Sequence, residues 1–309
     1  MSGIHHVTAI AGRADRCLGF YTRDLGLRLV KKTVNFDDPG TYHFYFGDEA
    51  GSPGSILTFF PWAHAAPGRR GVGEASETSF RVPPGSIGYW AHRFVERGVA
   101  HQAPAKRFGD PALTFTDSDG ANLALVGVAD TAEPAWVGGD VPLERAIRGL
   151  HGVTLMLDRA APTVDILADV FAMKESGREE GRVRYAAPGA AQGGVIDISE
   201  VGGFLPARSG RGSVHHIAFR AADDAEQATM AKRVRTDHRI ATTEQKDRQY
   251  FRSVYFREPG GILFEIATDV PGFAVDEAPG ALGTALKLPP FLEPKRARIE
   301  KALPELGAA

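Results

Sequence analysis

The chain repeats one pattern of segments four times, and this internal repeat constrains the fold more than any other feature. Each repeat opens on a short strand-like segment, continues with a stretch of helical periodicity and closes on a glycine-marked turn and a further strand-like segment. The opening segments are residues 3–10, 79–84, 149–157 and 214–220. The repeats are therefore units of strand, helix and three strands, at about residues 1–65, 76–130, 148–203 and 212–270.

A unit of this size cannot bury its own sheet face, so the units should pair. The predicted fold class is α+β, with four βαβββ modules paired into two cupped mixed β-sheets. As domains we predict an N-terminal half at 1–135, a C-terminal half at 145–275 and a C-terminal tail with a helix at 276–309. The tail is apolar in several places, and we expect it to pack across the mouth of a cup or along the seam between units.

Composition and charge exclude several functional classes. The formal net charge of −2 offers no electrostatic case for binding nucleic acid, and no run of 18 apolar residues indicates a membrane span. The N-terminus carries no signal-peptide pattern, and the single cysteine, Cys17, lies among apolar residues and should be a buried packing residue. We therefore expect a cytoplasmic protein, and a homo-oligomer is left open.

The first and last repeats each open on two adjacent histidines, His5-His6 and His215-His216. Successive side chains of a strand point to opposite faces. The face that holds His215 continues with large apolar residues, whereas the face of His216 continues with small or polar ones, so His216 should face a cavity. The same alternation selects His6 in the first repeat and Glu265 in the closing strand of the last.

Two imidazoles and one carboxylate, with coordination positions left over, describe the 2-His-1-carboxylate site of non-haem Fe(II) oxygenases. We therefore predict that His6, His216 and Glu265 bind Fe(II), with Mn(II) as the alternative. Because these ligands come from the first and last repeats, those two units should share one cup.

The repeat offers no fourth ligand. In our alignment the residues at the position of Glu265 in the first three repeats are Phe59, Leu125 and Ile198. Gly152 takes the place of His6 in the third repeat, so the two middle units should hold no metal. The other histidines are interpreted as ordinary structural or solvated side chains, including His43, whose strand position would also allow it to face the cavity.

The four units with their histidine pairs resemble the vicinal oxygen chelate superfamily, which includes glyoxalase I, bleomycin-resistance proteins and extradiol dioxygenases. Three segments are similar to its ring-cleaving hydroquinone dioxygenase branch, the 2,6-dichlorohydroquinone 1,2-dioxygenase-like proteins; they are residues 31–62, 247–269 and 286–304. The resemblance implies a dioxygenase that opens a small aromatic diol with O2, and metal ligands at the three residues already selected.

The resemblance also implies active-site roles for further residues, which are Tyr255, Arg248, His5, His215 and Thr8. Counting back from Glu265 by twos places Tyr255 on the neighbouring hairpin strand, facing the same cavity. Strict alternation points His5 and His215 away from the side of Thr8. Either a β-bulge turns them, or they act from behind the ligands.

Two rival functions stay open. A glyoxalase-type isomerase or lyase on the same scaffold would need a fourth protein ligand, and the predicted Phe59 at that position cannot bind a metal. An aromatic-binding resistance protein needs no metal, so the three aligned ligands argue against that function.

Overall fold

The structure is a computed structural model that describes residues 3–129, 131 and 133–306. Within these residues it has sixteen strands and five α-helices. The strands are β1 (Ile4–Ala11), β2 (Arg28–Asn35), β3 (Asp38–Gly47), β4 (Ile56–Pro61), β5 (Glu74–Val82), β6 (Ala105–Arg107), β7 (Asp110–Thr116), β8 (Asn122–Gly127), β9 (Leu150–Leu157), β10 (Lys174–Glu179), β11 (Arg182–Ala186), β12 (Val195–Glu200), β13 (Val214–Ala221), β14 (Lys246–Asp247), β15 (Arg252–Arg257) and β16 (Leu263–Thr268). The helices are α1 (Ala14–Gly19), α2 (Ile87–Arg97), α3 (Ala161–Asp169), α4 (Asp224–Thr236) and α5 (Arg296–Ala302).

The element order repeats strand, helix and three strands four times, as the sequence predicts. We number these units modules 1 to 4 along the chain. Helix α1 runs directly into a π-helical turn, Phe20–Asp24, and short 3-10 turns occupy Pro84–Ser86, Leu143–Arg145, Phe273–Val275, Pro279–Ala281 and Glu293–Lys295.

The strands form two curled, mixed sheets of eight strands each. Sheet one has the order β14-β15-β16-β13-β1-β4-β3-β2, so it joins module 4 to module 1, and sheet two has the order β10-β11-β12-β9-β5-β8-β7-β6, so it joins module 3 to module 2. The predicted pairing of the first and last units is confirmed. We call the concave side of sheet one cup one and that of sheet two cup two. Each sheet draws strands from both halves of the chain, and the division at 1–135 and 145–275 stays a prediction.

Alternation along the strands separates each cup from the hydrophobic core. In β1, Val7 lies fully buried in an apolar cluster that also takes in residues of both sheets and of α2 and α3, whereas His6 points to the concave side. Helix α4 begins at Asp223, whose carboxylate accepts hydrogen bonds from the backbone of Ala225 and Glu226, both at 2.9 Å. Gly261 precedes β16 with a φ of +97°, a conformation that keeps the hairpin turn before Glu265 tight.

The C-terminal tail covers the free edge of sheet one at β2, rather than the mouth of a cup or the seam between modules. Leu286 forms an isolated parallel β-bridge with Lys32, and α5 packs near β3. The fully buried Lys31 ammonium contacts the carboxylates of Asp276 at 2.5 Å and of Glu277 at 2.5 Å. A lysine inside the sheet edge is tolerated because the tail supplies both counter-charges.

Cys17 is buried, as predicted. Among the described residues, no helix is long and apolar enough to cross a membrane.

Candidate metal centre

The three predicted ligands come together on adjacent strands in the middle of cup one. His6 on β1 lies opposite Ala218 on β13, and Ala218 in turn lies beside Glu265 on β16. His216 lies opposite Thr8, one step along the same antiparallel pair. Strand register alone therefore brings side chains from modules 1 and 4 to one point.

The ligand atoms of this triad all lie within 4.8 Å of one another, and the three side chains are buried. The Glu265 Oε2 atom is 2.9 Å from Nε2 of His216 and 3.5 Å from Nε2 of His6, and the two Nε2 atoms are 3.4 Å apart. Three donor atoms thus converge on one volume rather than pointing outward.

The donor set fits a divalent transition metal. One oxygen of Glu265, Oε1, accepts a hydrogen bond of 2.5 Å from Ser253, whereas Oε2 is buried and faces only the Nε2 atoms of His216 and His6 within the described part of the chain. Burial alone would raise the pKa of Glu265, but His6 and His216 outweigh it and hold that pKa well below its usual value. Burial also lowers the pKa of His216. A carboxylate and a neutral imidazole are the forms that bind metal.

The first histidine of each pair sits at a β-bulge. Between β1 and β13 the register shifts once at His5 and once at His215, so each is an extra residue without a cross-strand partner. The bulges turn both rings toward the ligands: Nδ1 of His5 is 2.9 Å from Nδ1 of His6, and Nδ1 of His215 is 2.8 Å from Nδ1 of His216. Of the two alternatives that the sequence left open, the bulge is present, and both rings also lie on the Nδ1 side of His6 and His216, behind the Nε2 atoms that face Glu265.

These contacts fix the orientation of the His6 and His216 rings. Burial lowers the pKa of His5 and lowers that of His215 to about 4, so both rings are neutral and the Nδ1 atom of each can accept a hydrogen bond. If Nε2 of His6 or His216 binds a metal, its Nδ1 carries the ring hydrogen and donates a hydrogen bond to the preceding histidine, which fixes tautomer and ring angle. Thr8 is fully buried and hydrogen-bonds Thr58 at 2.8 Å, behind the same triad.

A cavity of about 430 Å³ opens above the triad. Its lining residues, besides the triad, are Asn35, Phe36, Asp37, His43, Tyr45, Phe60, Trp62, His215, Thr243, Lys246, Arg248, Phe251, Tyr255 and Leu263. Its volume lies in the range of small-molecule sites. One wall is aromatic and comes from module 1, whereas the opposite wall carries the cationic side chains of module 4.

Tyr255 and Arg248 form the centre of the module 4 wall. Tyr255 lies directly opposite Glu265 in the β15–β16 hairpin, as counting by twos predicts. Arg248 Nε lies 3.4 Å from the Tyr255 hydroxyl oxygen, and its guanidinium also bonds the carboxylate of Asp37 at 3.0 Å. Burial and the charge of Glu265 raise the pKa of Tyr255, so its hydroxyl stays protonated. Because that oxygen accepts from Arg248, its hydrogen is free to point into the cavity.

Sequence reasoning missed or undervalued much of the lining, most importantly two residues of β3. His43 was interpreted as an ordinary histidine, but it lines the cavity beside Phe60, with ring centroids 4.3 Å apart. Tyr45 was not considered at all, although it follows His43 by two residues on the same strand and therefore shares its face.

The predicted alignment of the closing strands is wrong by one residue. The register that pairs Ala218 with Glu265 pairs Thr8 with Thr58, so Thr58, not Phe59, takes the carboxylate position in module 1. The equivalent residues are Ala124, not Leu125, in module 2 and Asp197, not Ile198, in module 3. Phe59, Leu125 and Ile198 face the core instead. The alignment failed because it matched apolar residues to apolar residues, whereas the pleat decides the face.

Comparison with known proteins identifies the family. A sequence-family model described as glyoxalase/bleomycin resistance protein/dioxygenase superfamily matches residues 3–125. A Bacillus subtilis (strain 168) protein named "Putative ring-cleaving dioxygenase MhqO" is 44% identical over 97% of this chain and 95% of its own length. This chain belongs to that superfamily.

Other members of the superfamily extend the likeness. The "Chlorohydroquinone/hydroquinone 1,2-dioxygenase" of Sphingobium indicum is 34% identical over 95% of this chain and 93% of its own length. A crystal structure of a "putative dioxygenase" from Bacillus subtilis subsp. subtilis str. 168 superposes with a TM-score of 0.94, at 43% identity, over 99% of this chain and 98% of the other. Glyoxalase I of Zea mays, at 15% identity and a TM-score of 0.65, covering 87% of this chain and 93% of that one, shares the fold.

Proposed function

We propose that this protein is a non-haem Fe(II) dioxygenase that opens the ring of a hydroquinone or related aromatic diol with O2. The observation that carries the proposal is the triad of His6, His216 and Glu265 at the floor of a cavity with an aromatic wall. The names of the relatives, which span nearly the whole chain, support the same reaction class. We also keep a cytoplasmic location as a prediction.

Three protein ligands leave coordination positions for a substrate oxygen and for O2, which is the arrangement that non-haem Fe(II) oxygenases use. Bound iron would supply Lewis acidity toward a phenolic oxygen and an electron path between the diol and O2. Mn(II), which also accepts imidazole and carboxylate ligands, is the alternative metal.

The protein's own groups would hold the diol and stabilise the charge that develops on it. Phe60 and Trp62 offer flat apolar surface to one face of the ring. Tyr255 donates its free hydroxyl hydrogen to a substrate oxygen, and Arg248 fixes the Tyr255 hydroxyl by donating to its oxygen. A preorganised donor of this kind acts most strongly where negative charge grows during the reaction. His5 and His215 hold the two ligand rings, and Thr8 braces the strand behind them.

The isomerase alternative would need a fourth ligand. Thr58 occupies that position, and its hydroxyl is already engaged by Thr8 and His43. The decisive experiment is O2 uptake by iron-loaded protein with hydroquinone and with catechol, together with detection of a ring-opened acid. Complete inactivity with both diols would remove the dioxygenase proposal and favour the isomerase.

The role of Tyr255 has its own test. Tyr255→Phe keeps the ring and deletes one hydroxyl, so we expect kcat to fall by about 10²–10³, the loss measured for a single oxyanion-type donor, with iron content unchanged. Tyr185→Phe is the matched control, because Tyr185 is a buried tyrosine on the corresponding strand of sheet two, β11. If Tyr255→Phe turned over like wild type, Tyr255 would be only a packing residue.

A further inference from the structure

The module 1 wall of the cavity contains a continuous hydrogen-bond chain of four side chains. The Tyr45 hydroxyl lies 2.9 Å from Nδ1 of His43, Nε2 of His43 lies 2.9 Å from the Thr58 hydroxyl, and Thr58 lies 2.8 Å from the Thr8 hydroxyl. Tyr45 and His43 both line the cavity, whereas Thr58 and Thr8 are fully buried behind it. These hydrogen bonds therefore run from the cavity surface to β1, the strand that carries His6.

This row of hydrogen-bonded side chains in module 1 is related to the Tyr255 wall of module 4 by the approximate two-fold symmetry of sheet one. The symmetry that relates β1 to β13 places Thr58 at the position of Glu265. The residue opposite Glu265 in its hairpin is Tyr255, and the residue opposite Thr58 is Tyr45. The residue two positions before each tyrosine bonds the closing strand in both modules: Ser253 bonds Glu265, and His43 bonds Thr58. The cavity thus has one tyrosine on each wall.

The two tyrosines differ in what stands behind them. Tyr255 is backed by a guanidinium, which can only donate, so the Tyr255 hydrogen is left for a substrate oxygen and cannot pass to Arg248. Tyr45 is backed by an imidazole, whose two ring nitrogens exchange donor and acceptor roles between tautomers. Burial and the nearby His6 and His216 lower the pKa of His43, so its ring is neutral before the substrate loses a proton, and Nδ1 can accept a hydrogen bond from the Tyr45 hydroxyl.

We propose that Tyr45 binds the second hydroxyl of the diol, the one that does not bind the metal, and that His43 receives its proton through Tyr45. This inference rests on the function proposed above. A para-diol places its two oxygens at opposite ends of the ring, so that anchoring one at the triad leaves the other to reach a wall of the cavity.

The proton transfer balances without a further reactant. The substrate O–H bond breaks, and its electron pair stays on the substrate oxygen. Its proton joins the Tyr45 oxygen while the proton of Tyr45 passes to Nδ1 of His43. The imidazolium that forms still donates its Nε2–H to the Thr58 hydroxyl oxygen. It later returns the Nδ1 proton, through Tyr45, to the ring-opened product. The electron-richer ring is then easier for O2 to oxidise.

The binding half of this inference can be tested without turnover. Iron-loaded protein is titrated under argon with hydroquinone and with 4-methoxyphenol, which keeps one hydroxyl for the metal and blocks donation by the other oxygen. We expect wild type to prefer hydroquinone by about tenfold, the worth of one good hydrogen bond, and Tyr45→Phe to lose that preference while it keeps its iron. Tyr42→Phe, on the same strand but away from the cavity, should retain it.

An unchanged preference in Tyr45→Phe, or no preference in wild type, would overturn the assignment of Tyr45. Because the titration contains no O2, its outcome is independent of the oxygen-uptake experiment, which tests the dioxygenase function itself.

The proton-accepting half needs a different variant. In His43→Gln the amide can still bond Tyr45 and Thr58 but cannot take up a proton. We expect the preference for hydroquinone to survive while kcat falls by about 10²-fold, the lower range for loss of an acid–base group. Thr58→Val, which removes the acceptor behind His43 without reaching the cavity, should lower kcat in the same direction. Wild-type kcat in both variants, with iron bound, would reduce His43 to a structural role.

Discussion

Cup one and cup two are built on the same strand plan, but their interiors are opposites. Strand register equates four positions of cup one, which are His6, His216, Glu265 and Thr58, with Gly152, Glu77, Ala124 and Asp197 in cup two. Cup one therefore gathers two imidazoles and a carboxylate at these positions, whereas cup two holds two carboxylates and two residues without a donor side chain.

Ion pairs fill cup two instead. Arg184 and Asp197 form a bidentate pair with two contacts of 2.8 Å, and Arg107 pairs with Glu77. Phe108, from the turn between β6 and β7, stacks on the Arg184 guanidinium with 3.8 Å to the ring centroid. Each of these four charged side chains is paired with an opposite charge of the protein, so none of them is left to bind a ligand.

The comparison teaches that the fold supplies two equivalent frames and that local backbone distances decide which one can bind a metal. A Cβ atom built on Gly152 would lie 2.1 Å from the Val195 carbonyl oxygen, so no histidine fits there unless the backbone moves. In cup one the strand has room for His6, and Glu265 Oε2 faces two imidazole nitrogens, His216 Nε2 at 2.9 Å and His6 Nε2 at 3.5 Å. A carboxylate oxygen that faces neutral imidazoles is available to a metal, whereas one held in an arginine pair is a structural element.

The largest expected difference between the cups is tested by replacing equivalent residues of cup one and cup two with glutamine. His216→Gln removes an imidazole ligand. Loss of a residue that only orients a ligand weakens metal binding by about 10–100-fold, so we expect loss of the ligand itself to weaken iron binding by more than that. Glu77→Gln, its counterpart in cup two, should leave the iron content at one per chain. Metal analysis after dialysis against a weak chelator measures both.

Equal iron loss in the two variants would mean that the metal does not depend on the triad. Full iron retention in His216→Gln would remove that residue from the ligand set, whatever the activity of the variant.

The second prediction concerns the stability of cup two. Asp197→Ala leaves the buried Arg184 guanidinium unpaired beneath Phe108, and we expect the free energy of unfolding to fall by about 3–5 kcal/mol. Iron affinity should not change. Urea unfolding followed by circular dichroism measures the difference.

Glu175→Ala provides the matched control for Asp197→Ala. Glu175 forms a pair with Arg178 in the same module, but both side chains are exposed, so its loss should destabilise the protein far less than the loss of Asp197. A similar small loss in Asp197→Ala would show that the Arg184 guanidinium reaches water and that cup two is not closed.

Much of this comparison is readable in the sequence. The fourfold repeat predicts the modules, and alternation along three short strands selects His6, His216 and Glu265, because both depend on local periodicity alone. The absence of a histidine at the position of His6 in the middle repeats also predicts which cup lacks the triad.

What the sequence did not predict depends on pairing between strands. The bulges at His5 and His215 are register shifts between β1 and β13, and neither strand shows them by itself. The true position of Thr58, one residue from Phe59, is likewise fixed by its neighbour Thr8 across the sheet. The His43–Tyr45 chain and the contact of Asp37 with Arg248 join segments that only the folded sheet brings together.

The smallest expected effect concerns an arginine contact in each cup. In cup two Phe108 stacks on the Arg184 guanidinium, whereas in cup one Asp37, from the turn between β2 and β3, forms an ion pair with Arg248, and both residues line the cavity. Asp37 is 66% exposed, so this pair is weak and can open for a substrate.

Asp37→Asn should lower the free energy of unfolding by less than about 1 kcal/mol and raise KM by no more than about fivefold, because an exposed pair contributes no more than that. The difference in KM from wild type should shrink at high salt, which screens exposed charges. Steady-state kinetics at low and high ionic strength measure this, and a loss of kcat near that of Tyr255→Phe would instead place Asp37 in the reaction itself.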